Sequence, residues 1–398
     1  MRMLIAGGGT GGHIFPGLAL AEEVKTRHPR NDVLFVGTPR GLEVTIVPKN
    51  GFPLDLIDVG PLRRQGGLGF ARSLGRLPRA IWQSRRVLKR FDPDVVVGVG
   101  GYASGPVVMA AWLLRIPTAV QEQNALPGFT NRTLGRFARA CFIAFDEARA
   151  GFPPARTHLL GNPIRRGFLD NYLHAKEPSG ERLSLLVTGG SQGAHVLNLR
   201  VAEALELLAP TIGPRLQVLH QTGTNDLEEI SRRYRALEST GLSARATAFI
   251  DEMANAYAQA DLLVCRAGAT TIAELTVCKK PAILVPFPYA TDDHQTVNAR
   301  SMVRSGGALL VPERELTGEK LAGELRALEA DRERLRRMAR QSGLLGRPEA
   351  AREIAEVCVS LCSRRLIREG RNLPERPPPQ ALPPAGGAPG EGGKSKGR

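Results

Sequence analysis

Short apolar runs alternate with longer amphipathic stretches along most of the chain, and turns rich in glycine or polar residues separate them. Short apolar runs bounded by turn residues are typical of buried strands, and the stretches between them have helical spacing. Strands that alternate with helices form parallel sheets covered on both faces. The pattern predicts two series of strands, at residues 3–6, 33–36, 54–59, 95–99, 118–121, 140–144 and 157–160, and then at 183–188, 216–221, 246–249, 262–265, 282–285 and 308–311.

The sequence GNPIR at residues 161–165 interrupts this alternation between the two series. Two similar halves predict an α/β fold with two doubly wound, Rossmann-like domains facing a cleft, in which ligands bind at the carboxyl ends of the strands. We place the domains at 1–162 and 163–345. A closing helix is predicted at about 349–362, within a segment 346–363. The Pro- and Gly-rich basic tail, 364–398, is predicted to be disordered.

The first turn, GGGTGGH at residues 7–13, lies between a predicted strand and a predicted helix. Its backbone amides and the helix N-terminus favour a bound anion. The G-x-G-x-x-G spacing also occurs in dinucleotide sites, but Asp32 precedes the second strand instead of ending it, which argues against NAD. A packing turn that binds nothing is the alternative. His13 lies at the helix start, on the face that a ligand would occupy.

Similar turns follow other predicted strands. Each offers amides, hydroxyls or amide side chains at a strand end, and each taken alone also fits an ordinary surface loop or a capped helix. The helix start at 269–271, with its free amides and hydroxyls, predicts a diphosphate cradle, and Glu274 lies one turn further, where it can bond ribose hydroxyls. These turns are at residues 98–106, 121–124, 189–194, 266–275 and 286–299.

The net charge of +15 is concentrated in two segments. Residues 61–90 hold nine arginines and lysines and no acid, and the tail from residue 364 adds +5. The remainder is nearly neutral, so the chain does not have the composition of a generally basic nucleic-acid-binding protein.

Apolar residues are interleaved with these arginines in segment 61–90, which predicts a helix broken near Pro78 with one apolar stripe. Arginine flanks and an aromatic side chain suit an anionic membrane surface. A core-facing helix with a solvated basic back is the alternative, and RNA would fit the charge, although only Phe70 and Trp82 are available to stack bases. The residues of the stripe are Phe70, Leu74, Leu77, Ile81 and Trp82.

The five cysteines show no C-x-x-C pairing, which makes a disulfide framework or a zinc site an unfavoured interpretation. We interpret Cys358 and Cys362, one helical turn apart, as apolar packing. No signal peptide and no membrane-spanning segment are expected, since no apolar run approaches 18 residues.

Seven motifs occur in order and together resemble the MurG family of peripheral glycosyltransferases, which transfer N-acetylglucosamine from UDP-GlcNAc to lipid I and make lipid II for peptidoglycan. The resemblance spans about residues 3–362, and the tail after about 364 has no counterpart in the family pattern. The motifs are GGTGGHIFPG at 8–17, GGYASGP at 100–106, EQN at 122–124, GNPIR at 161–165, GGSQGA at 189–194, CRAGATTIAE at 265–274 and DHQTVNA at 293–299.

The resemblance implies a GT-B fold in which the C-terminal domain binds the donor and the N-terminal domain binds the lipid acceptor. It places Tyr102 and Ser104 on the acceptor side. Phe70, Leu74, Leu77, Ile81, Trp82 and Trp112 would form a membrane patch at the cytoplasmic face of the inner membrane. The implied donor contacts are Thr10, Gly11, Gly12, Asn124, Arg165, Ser191, Ile250, Ala269, Thr270, Thr271, Ile272, Ala273, Glu274 and Gln295.

The family inverts the anomeric carbon, so a base must take the acceptor proton while UDP departs. His13 is the first candidate, because its neutral form is basic near pH 7 and a helix N-terminus lowers its pKa further. Glu122 is the second. No metal or cofactor is expected, because amides with Thr270 and Thr271 can stabilise the diphosphate. Ile250, at the end of strand 246–249, would present its backbone to the uracil.

Three other functions remain open at this stage. A transferase of the same fold could use another lipid, such as diacylglycerol, and a UDP-GlcNAc 2-epimerase would release UDP without any acceptor. A nucleic-acid-binding module would bind RNA or DNA in a salt-dependent way without sugar turnover. The resemblance favours UDP-GlcNAc, lipid I and an anionic membrane surface as partners, with other cell-wall synthesis and division proteins as further candidates and no nucleic acid.

Overall fold

The computed structural model describes residues 1–60, 67–174, 182–190 and 192–368, and within these ranges it leaves out the side chains of 67–76, 291 and 364–368. Its strands all pair in parallel. The strands are β1 (Arg2–Gly7), β2 (Asp32–Gly37), β3 (Leu54–Leu56), β4 (Val95–Gly100), β5 (Thr118–Glu122), β6 (Ala140–Ile143), β7 (Thr157–Leu159), β8 (Leu183–Thr188), β9 (Leu216–Gln221), β10 (Ser243–Thr247), β11 (Leu262–Cys265), β12 (Ala282–Leu284) and β13 (Ala308–Leu310).

Two sheets result, with the orders β3-β2-β1-β4-β5-β6-β7 and β10-β9-β8-β11-β12-β13. In each sheet the first strand of the series lies inside. Successive strands are added on one side of it and then on the other, so the strand order switches between β1 and β4 and between β8 and β11. Ligands of doubly wound sheets bind outside the strand ends at these switch points. The predicted doubly wound α/β fold is therefore confirmed.

Helices cover both faces of each sheet, so the central strands are apolar throughout; β4, for example, is buried along its whole length. The helices are α1 (Gly11–Arg27), α2 (Glu43–Lys49), α3 (Gly67–Phe91), α4 (Ser104–Leu113), α5 (Phe129–Gly135), α6 (Arg166–His174), α7 (His195–Ile212), α8 (Leu227–Arg235), α9 (Met253–Gln259), α10 (Ala269–Val277), α11 (His294–Arg304), α12 (Gly318–Ala330), α13 (Arg332–Leu344) and α14 (Ala350–Arg368), with 3₁₀ turns at Asp146–Gly151, Pro154–Arg156, Gly213–Arg215, Glu238–Thr240, Thr291–Asp293 and Glu313–Glu315.

The final helix, α14, belongs to the core of the first sheet. Ile354, Ala355, Cys358 and Cys362 are buried in one cluster with side chains of α1, β1 and β4. The chain therefore crosses between the two sheets twice, after β7 and again before α14. Cys358 and Cys362 pack among apolar side chains, which confirms the interpretation made from the sequence.

Four elements differ from the sequence predictions. β3 ends at Leu56 instead of residue 59, and α14 continues to Arg368 instead of ending near residue 362. β10 ends at Thr247, three residues before Ile250, whereas the prediction was 246–249. β10 is an edge strand without fully buried positions, and the apolar Phe249 that suggested the later boundary is 54% exposed in the following loop. The prediction of a break near Pro78 is also wrong. α3 continues through the exposed Pro78, because the following turns, including Ile81, pack on the first domain and stabilise the helix despite one missing hydrogen bond.

Among the described residues, the structure contains no helix with the length and apolar character needed to cross a bilayer.

Candidate active site

The glycine loop between β1 and α1 holds His13 in a defined orientation. His13 Nδ1 lies 3.2 Å from the carbonyl oxygen of Gly8 and 3.2 Å from Thr10 Oγ1. Because a carbonyl can only accept, the bond to Gly8 places the hydrogen of the neutral imidazole on Nδ1. Nε2 is then the unprotonated nitrogen and is available as a base.

The other side of the His13 ring lies against the turn after β4. A Cβ added at Gly100, whose φ is +94°, would lie 2.9 Å from His13 Nε2 and 2.8 Å from Cδ2. Only glycine fits this position, because both the backbone conformation and the close approach of the imidazole exclude a side chain. The first two glycine turns thus enclose the imidazole from opposite sides.

The pKa of His13 lies below the usual histidine range, mainly because the ring is buried in this loop. The hydrogen bond to Gly8 and the carboxylate of Glu43 oppose the shift, and His294 on α11 adds to it. A lowered pKa keeps the imidazole neutral near pH 7, the form that can accept a proton.

Thr10, Gly11 and Gly12 form the exposed rim of the same loop. Thr10 precedes α1 in an extended conformation, and a Cβ at Gly12 would have Thr10 Oγ1 at 3.9 Å as its nearest neighbour. The amides of Gly11 and Gly12, in the first turn of α1, have no partners further back in the helix, as a phosphate contact requires.

The two acceptor-side residues lie in different environments. Tyr102 is 49% exposed, at the turn that precedes α4. Ser104 is fully buried, and its Oγ lies 2.4 Å from the position that a Cβ on Gly98 would occupy. Its hydroxyl thus points into the sheet, and Tyr102 is the one of the pair that the cleft can reach.

Glu122, at the end of β5, binds its own loop. One carboxylate oxygen accepts from the amide nitrogen of Asn124 at 3.0 Å, and the other accepts from Gly128 N at 3.0 Å and Asn131 Nδ2 at 3.1 Å. Burial raises the pKa of Glu122, and these bonds oppose the shift. A carboxylate that holds a loop through both oxygens is less available as a base than Nε2 of His13.

Asn298 of α11 connects the two halves of the protein. Its Oδ1 accepts from the amide of Ala125 at 2.8 Å, and its Nδ2 donates to Asn124 Oδ1 at 3.1 Å. Both bonds cross from the second sheet's helices to the loop after β5. The side chain of Asn124, a predicted donor contact, is therefore placed by residues of both halves.

The loop between β8 and α7 repeats the arrangement of the first loop with neutral supports. The amide of Gly190 donates to Thr188 Oγ1 at 3.1 Å, and Gln221 Nε2 donates to the Gly190 carbonyl at 2.9 Å. Ser191, the predicted donor contact in this loop, lies outside the described residues.

Ile250 does not end a strand. It lies in the loop after β10, and its amide nitrogen donates to Gln221 Oε1 at 2.9 Å. Ile250 is half-buried, and this bond fixes its backbone to the end of β9.

The helix α10 begins where the diphosphate cradle was predicted. Thr270 Oγ1 is buried and has no hydrogen-bond partner within the protein, and the amides of the first turn, from Ala269 to Thr271, have no partners further back in the helix. A buried hydroxyl without a partner is a group to which a bound ligand can supply one. Ile272 and Ala273 continue the helix behind this turn.

Glu274 lies one turn further along α10, with Tyr257 as its partner. The hydroxyl of Tyr257 donates to Glu274 Oε2 at 3.1 Å, and burial raises the pKa of Glu274 to about 7. Arg165 acts in the opposite direction on that pKa, and its guanidinium lies over the Phe15 ring at 5.5 Å. Arg165 thus lies between α1 and α10, the helices that border the cleft.

Gln295 lies in the first turn of α11, and its Oε1 accepts from the Phe287 amide at 2.9 Å. This bond fixes the loop after β12 to the start of α11. Its amide group remains to donate to a ligand.

The residues proposed for membrane contact divide into two groups. Leu77 and Ile81 are half-buried, and Ile81 packs on the core of the first domain. Trp82 is 57% exposed with Arg86 over its ring, and Trp112 is 43% exposed beside Leu113, which is 60% exposed. The side chains of Phe70 and Leu74 lie outside the described residues.

A cavity of about 350 Å³ lies where the two chain crossovers meet, away from His13. It faces the side of α10 that carries Ala269, Ala273 and Thr276, and Asn162 and Leu345 of the crossovers also line it. Three of the predicted donor contacts, Ala269, Ile272 and Ala273, line this cavity, whereas His13 does not. No three His, Cys, Asp or Glu side chains of the described residues are grouped as metal ligands.

Comparison with known families identifies the chain. The model of the glycosyltransferase family 28 N-terminal domain matches residues 3–143, and that of the family's C-terminal domain matches residues 184–356. The chain belongs to glycosyltransferase family 28. The predicted glycosyltransferase is thereby confirmed.

A protein of Myxococcus xanthus (strain DK1622) is 58% identical over 381 residues, which are 96% of this chain and 97% of that relative. It is named UDP-N-acetylglucosamine--N-acetylmuramyl-(pentapeptide) pyrophosphoryl-undecaprenol N-acetylglucosamine transferase. The crystal structure of Acinetobacter baumannii MurG is 30% identical, covers 90% of this chain and 99% of its own, and superposes with a TM-score of 0.75. These similarities confirm the predicted resemblance and the GT-B fold of this family 28 member.

UDP-GlcNAc 2-epimerase from Neisseria meningitidis, solved with UDP-GlcNAc, has a TM-score of 0.60 at 13% identity and covers 90% of this chain and 100% of its own. At that identity the similarity shows the fold alone.

Sequence reasoning missed four residues that support the site of this family 28 enzyme. Two of them, Gln221 and Asn298, hold the backbone of Ile250 and Ala125. Tyr257 bonds Glu274, and Glu43 lies beneath the first glycine loop. Of the four, only Asn298 lies in one of the seven sequence motifs, DHQTVNA at residues 293–299. Gln221, Tyr257 and Glu43 belong to no sequence pattern that predicts their contacts.

Proposed function

We propose that the chain transfers N-acetylglucosamine from UDP-GlcNAc to the MurNAc 4-hydroxyl of lipid I, giving lipid II, with inversion at the anomeric carbon. The observation that carries the proposal is the half-buried His13 ring at the switch point between β1 and β4, with Nδ1 bonded to the Gly8 carbonyl and Nε2 unprotonated beside Gly100. The name of the 58% identical relative supports the pair of substrates.

His13 acts as the base in this mechanism. Nε2 takes the proton of the acceptor hydroxyl as its oxygen forms the new bond to the anomeric carbon, and the bond from that carbon to the UDP oxygen breaks. UDP leaves with the electron pair. Glu122 keeps the loop of residues 122–131 in place beside this step.

The departing diphosphate is stabilised by groups that are fixed before the reaction. The free amides of α10, the hydroxyls of Thr270 and Thr271, and the amides at Gly11 and Gly12 supply donors. Arg165 adds a positive charge between the two helices. Such donors lose little freedom as charge develops, which is why they stabilise a transition state well.

The uridine and sugar are held by the second domain and by the loop after β5. Glu274 accepts from ribose hydroxyls, the carbonyl of Ile250 bonds the uracil, and Asn124, Ser191 and Gln295 contact the remainder of the donor. Tyr102 lies on the acceptor side.

The enzyme works at the cytoplasmic face of the inner membrane as a peripheral protein. Exposed Trp82, Trp112 and Leu113, beside the arginines of α3, support binding to an anionic lipid surface. Flotation with vesicles of phosphatidylglycerol tests this. We expect the double change Trp82→Ser and Trp112→Ser to reduce binding about 10-fold, and vesicles of phosphatidylcholine to bind weakly; equal binding by both proteins would contradict the assignment.

UDP release from UDP-GlcNAc, measured with and without a lipid I analogue and with no metal added, tests the transfer. We expect release only with the analogue, together with formation of the disaccharide product. Release without an acceptor would indicate an epimerase or hydrolase instead. The same assay with diacylglycerol as the acceptor tests the alternative function, a transferase for another lipid. Such an enzyme would release UDP with diacylglycerol and not with the lipid I analogue.

A further inference from the structure

The carboxylate of Glu43 lies directly beneath the first glycine loop. Glu43 is the first residue of α2 and is 1% exposed. It accepts three hydrogen bonds, from Gly9 N at 2.7 Å, from Thr38 N at 2.8 Å and from Thr38 Oγ1 at 2.9 Å. A buried carboxylate is unfavourable unless donors surround it, so this arrangement is specific to a charged acceptor.

The surrounding backbone leaves room only for this side chain. A Cβ added at Gly8, Gly37 or Gly41 would lie 2.3, 2.5 or 1.9 Å from an atom of Glu43. Three glycines, two at the ends of β1 and β2 and one in the turn before α2, therefore clear the space that the carboxylate occupies. Glu43 is part of the loop's construction and not a surface residue that happens to be near it.

One peptide group connects Glu43 to His13. The N–H of this group, on Gly9, donates to Glu43 Oε2, and its carbonyl, on Gly8, bonds His13 Nδ1 at 3.2 Å. An acceptor on the N–H of an amide polarises its carbonyl and makes it a stronger acceptor. The carboxylate thus acts on the imidazole through the Gly8–Gly9 peptide group.

We propose that Glu43 is a positioning residue for His13, which it orients and makes more basic through the Gly8–Gly9 peptide group. This proposal rests on the role of His13 as the base. In a catalytic triad a carboxylate bonds the histidine directly and holds its orientation and tautomer. Here the Gly8–Gly9 peptide group lies between the carboxylate and the histidine.

Charge and geometry both favour glutamate over glutamine at position 43. Three donors point at the two carboxylate oxygens of Glu43. In glutamine an NH₂ group would replace one of these oxygens, and it would face a donor with which it cannot form a hydrogen bond. The negative charge also stabilises the imidazolium that forms when Nε2 takes the acceptor proton. Among the described residues, the titratable groups that act on His13 are Glu43 from α2 and His294 from α11, with opposite signs.

The direct experiment is an NMR titration of His13 in protein labelled at histidine, with the His13 signal assigned by its loss in His13→Gln. We expect Glu43→Gln to lower the pH midpoint of His13 by about 0.5 or more. Glu329→Gln is the matched control, because Glu329 is also a buried carboxylate, 8% exposed, but pairs with Arg215 in the other domain. An unchanged His13 midpoint in folded Glu43→Gln would overturn the proposal.

Kinetics supply a second measurement on the same proteins. We expect kcat of Glu43→Gln to fall about 10- to 100-fold, since small misplacement of a base has that effect, with the acid limb of the kcat profile moving to lower pH. Thr38→Val removes one bond and leaves the charge, so its acid limb should stay in place. A kcat loss in Glu43→Gln with an unmoved pH profile would indicate a merely structural role and would count against the proposal.

Glu43→Asp keeps the test decisive if Glu43→Gln does not fold. It retains the charge and withdraws the carboxylate from Gly9, so we expect a lower kcat with a His13 midpoint between those of the wild type and a neutral variant; wild-type values for both would overturn the proposal. Absence of sugar transfer by the wild type would refute the proposed function, whereas the His13 titration tests the link to Glu43 without any substrate.

Discussion

The first glycine loop of each domain follows the first strand of its sheet, and the two loops differ in what supports them. Gly9 and Gly190 have nearly equal φ, +90° and +93°, and a Cβ at either position would meet nothing within 4 Å. Both positions therefore have open space where a side chain would be. The amide of Gly9 donates to the carboxylate of Glu43, whereas that of Gly190 donates to the hydroxyl of Thr188, beside the neutral amide of Gln221.

This difference matches the charges that the proposed mechanism places at each loop. In the proposed mechanism the first loop serves the base and, through Gly11 and Gly12, the diphosphate, whereas the second loop serves the donor alone. Neutral supports keep a buried carboxylate, which repels a diphosphate, away from the second loop. A histidine that accepts a proton becomes positive, and a nearby carboxylate stabilises it. The same strand–glycine–helix geometry can thus support an anion site or a base, depending on one side chain beneath the loop.

Among the tests of the comparison between the two glycine loops, we expect the largest effect from removing the proposed base. We expect His13→Ala to lower kcat by about 10²- to 10⁴-fold, the range that a general base contributes, and to leave uridine binding within about 3-fold. His195→Ala is the matched control, since His195 begins α7 beside the other glycine loop and its ring is exposed. A kcat loss of similar size in His13→Ala and His195→Ala would mean that the base function is not specific to the first loop.

A carboxylate can be introduced beneath the second loop, which is the opposite change to removing the carboxylate of Glu43 from beneath the first. Gln221→Glu would set a carboxylate beside Gly190, and we expect the KM for UDP-GlcNAc to rise about 10- to 100-fold with a smaller change in kcat. Gln217→Glu, exposed on the same strand, controls for added charge. Unchanged donor affinity in Gln221→Glu would show that this loop does not approach the diphosphate.

A smaller effect is expected at the ribose. Tyr257→Phe removes the hydroxyl that donates to Glu274 Oε2, which raises the pKa of Glu274 further, so less of it is ionised near pH 7. We expect the KM for UDP-GlcNAc to rise about 3-fold at pH 7, the effect of about one hydrogen bond, and the difference to shrink at pH 9. A rise that is independent of pH would exclude the ionisation of Glu274 as its cause.

Glu274 also predicts a pH-dependent stability without ligand. Burial raises its pKa from 4.5 to about 7, so the folded state binds the proton more tightly than the unfolded state, and the stability falls as the pH rises between those values. Glu274→Gln removes this cost. We expect its Tm to exceed that of the wild type by a few degrees at pH 8 and to match it near pH 4.5. Equal Tm values at both pH values would show that Glu274 is solvated when unliganded.

The elements that the sequence predicted well are those whose signal is local. β4 is buried along its whole length and β8 nearly so, and both appear as continuous apolar runs between glycine turns. β10 was misplaced because an edge strand has no such run, and the exposed Phe249 in the next loop imitated one. Pro78 was overvalued as a helix breaker, since it removes one hydrogen bond from a 25-residue helix whose later turns pack on the first domain.

The candidate site follows the same division. His13, Glu274 and the loops around them were predictable because glycine turns, helix starts and strand ends are visible in short segments, and because their order resembles a known family. Glu43 and Tyr257 were not, because their partners lie 34 and 17 residues away. Whether Ser104 faces the cleft or the sheet was likewise undecided until Gly98 was seen beneath its hydroxyl.

The sequence by itself determined the two sheets, the positions of the glycine loops and the residue types offered at the strand ends, since these depend on burial periodicity and on the conformations that glycine permits. Only the tertiary structure decided which groups meet: the peptide group shared by Glu43 and His13, and the Asn298 bond to Ala125 across 173 residues. Such contacts depend on how separate elements pack, and hydrogen bonds between distant residues leave no periodicity in the chain.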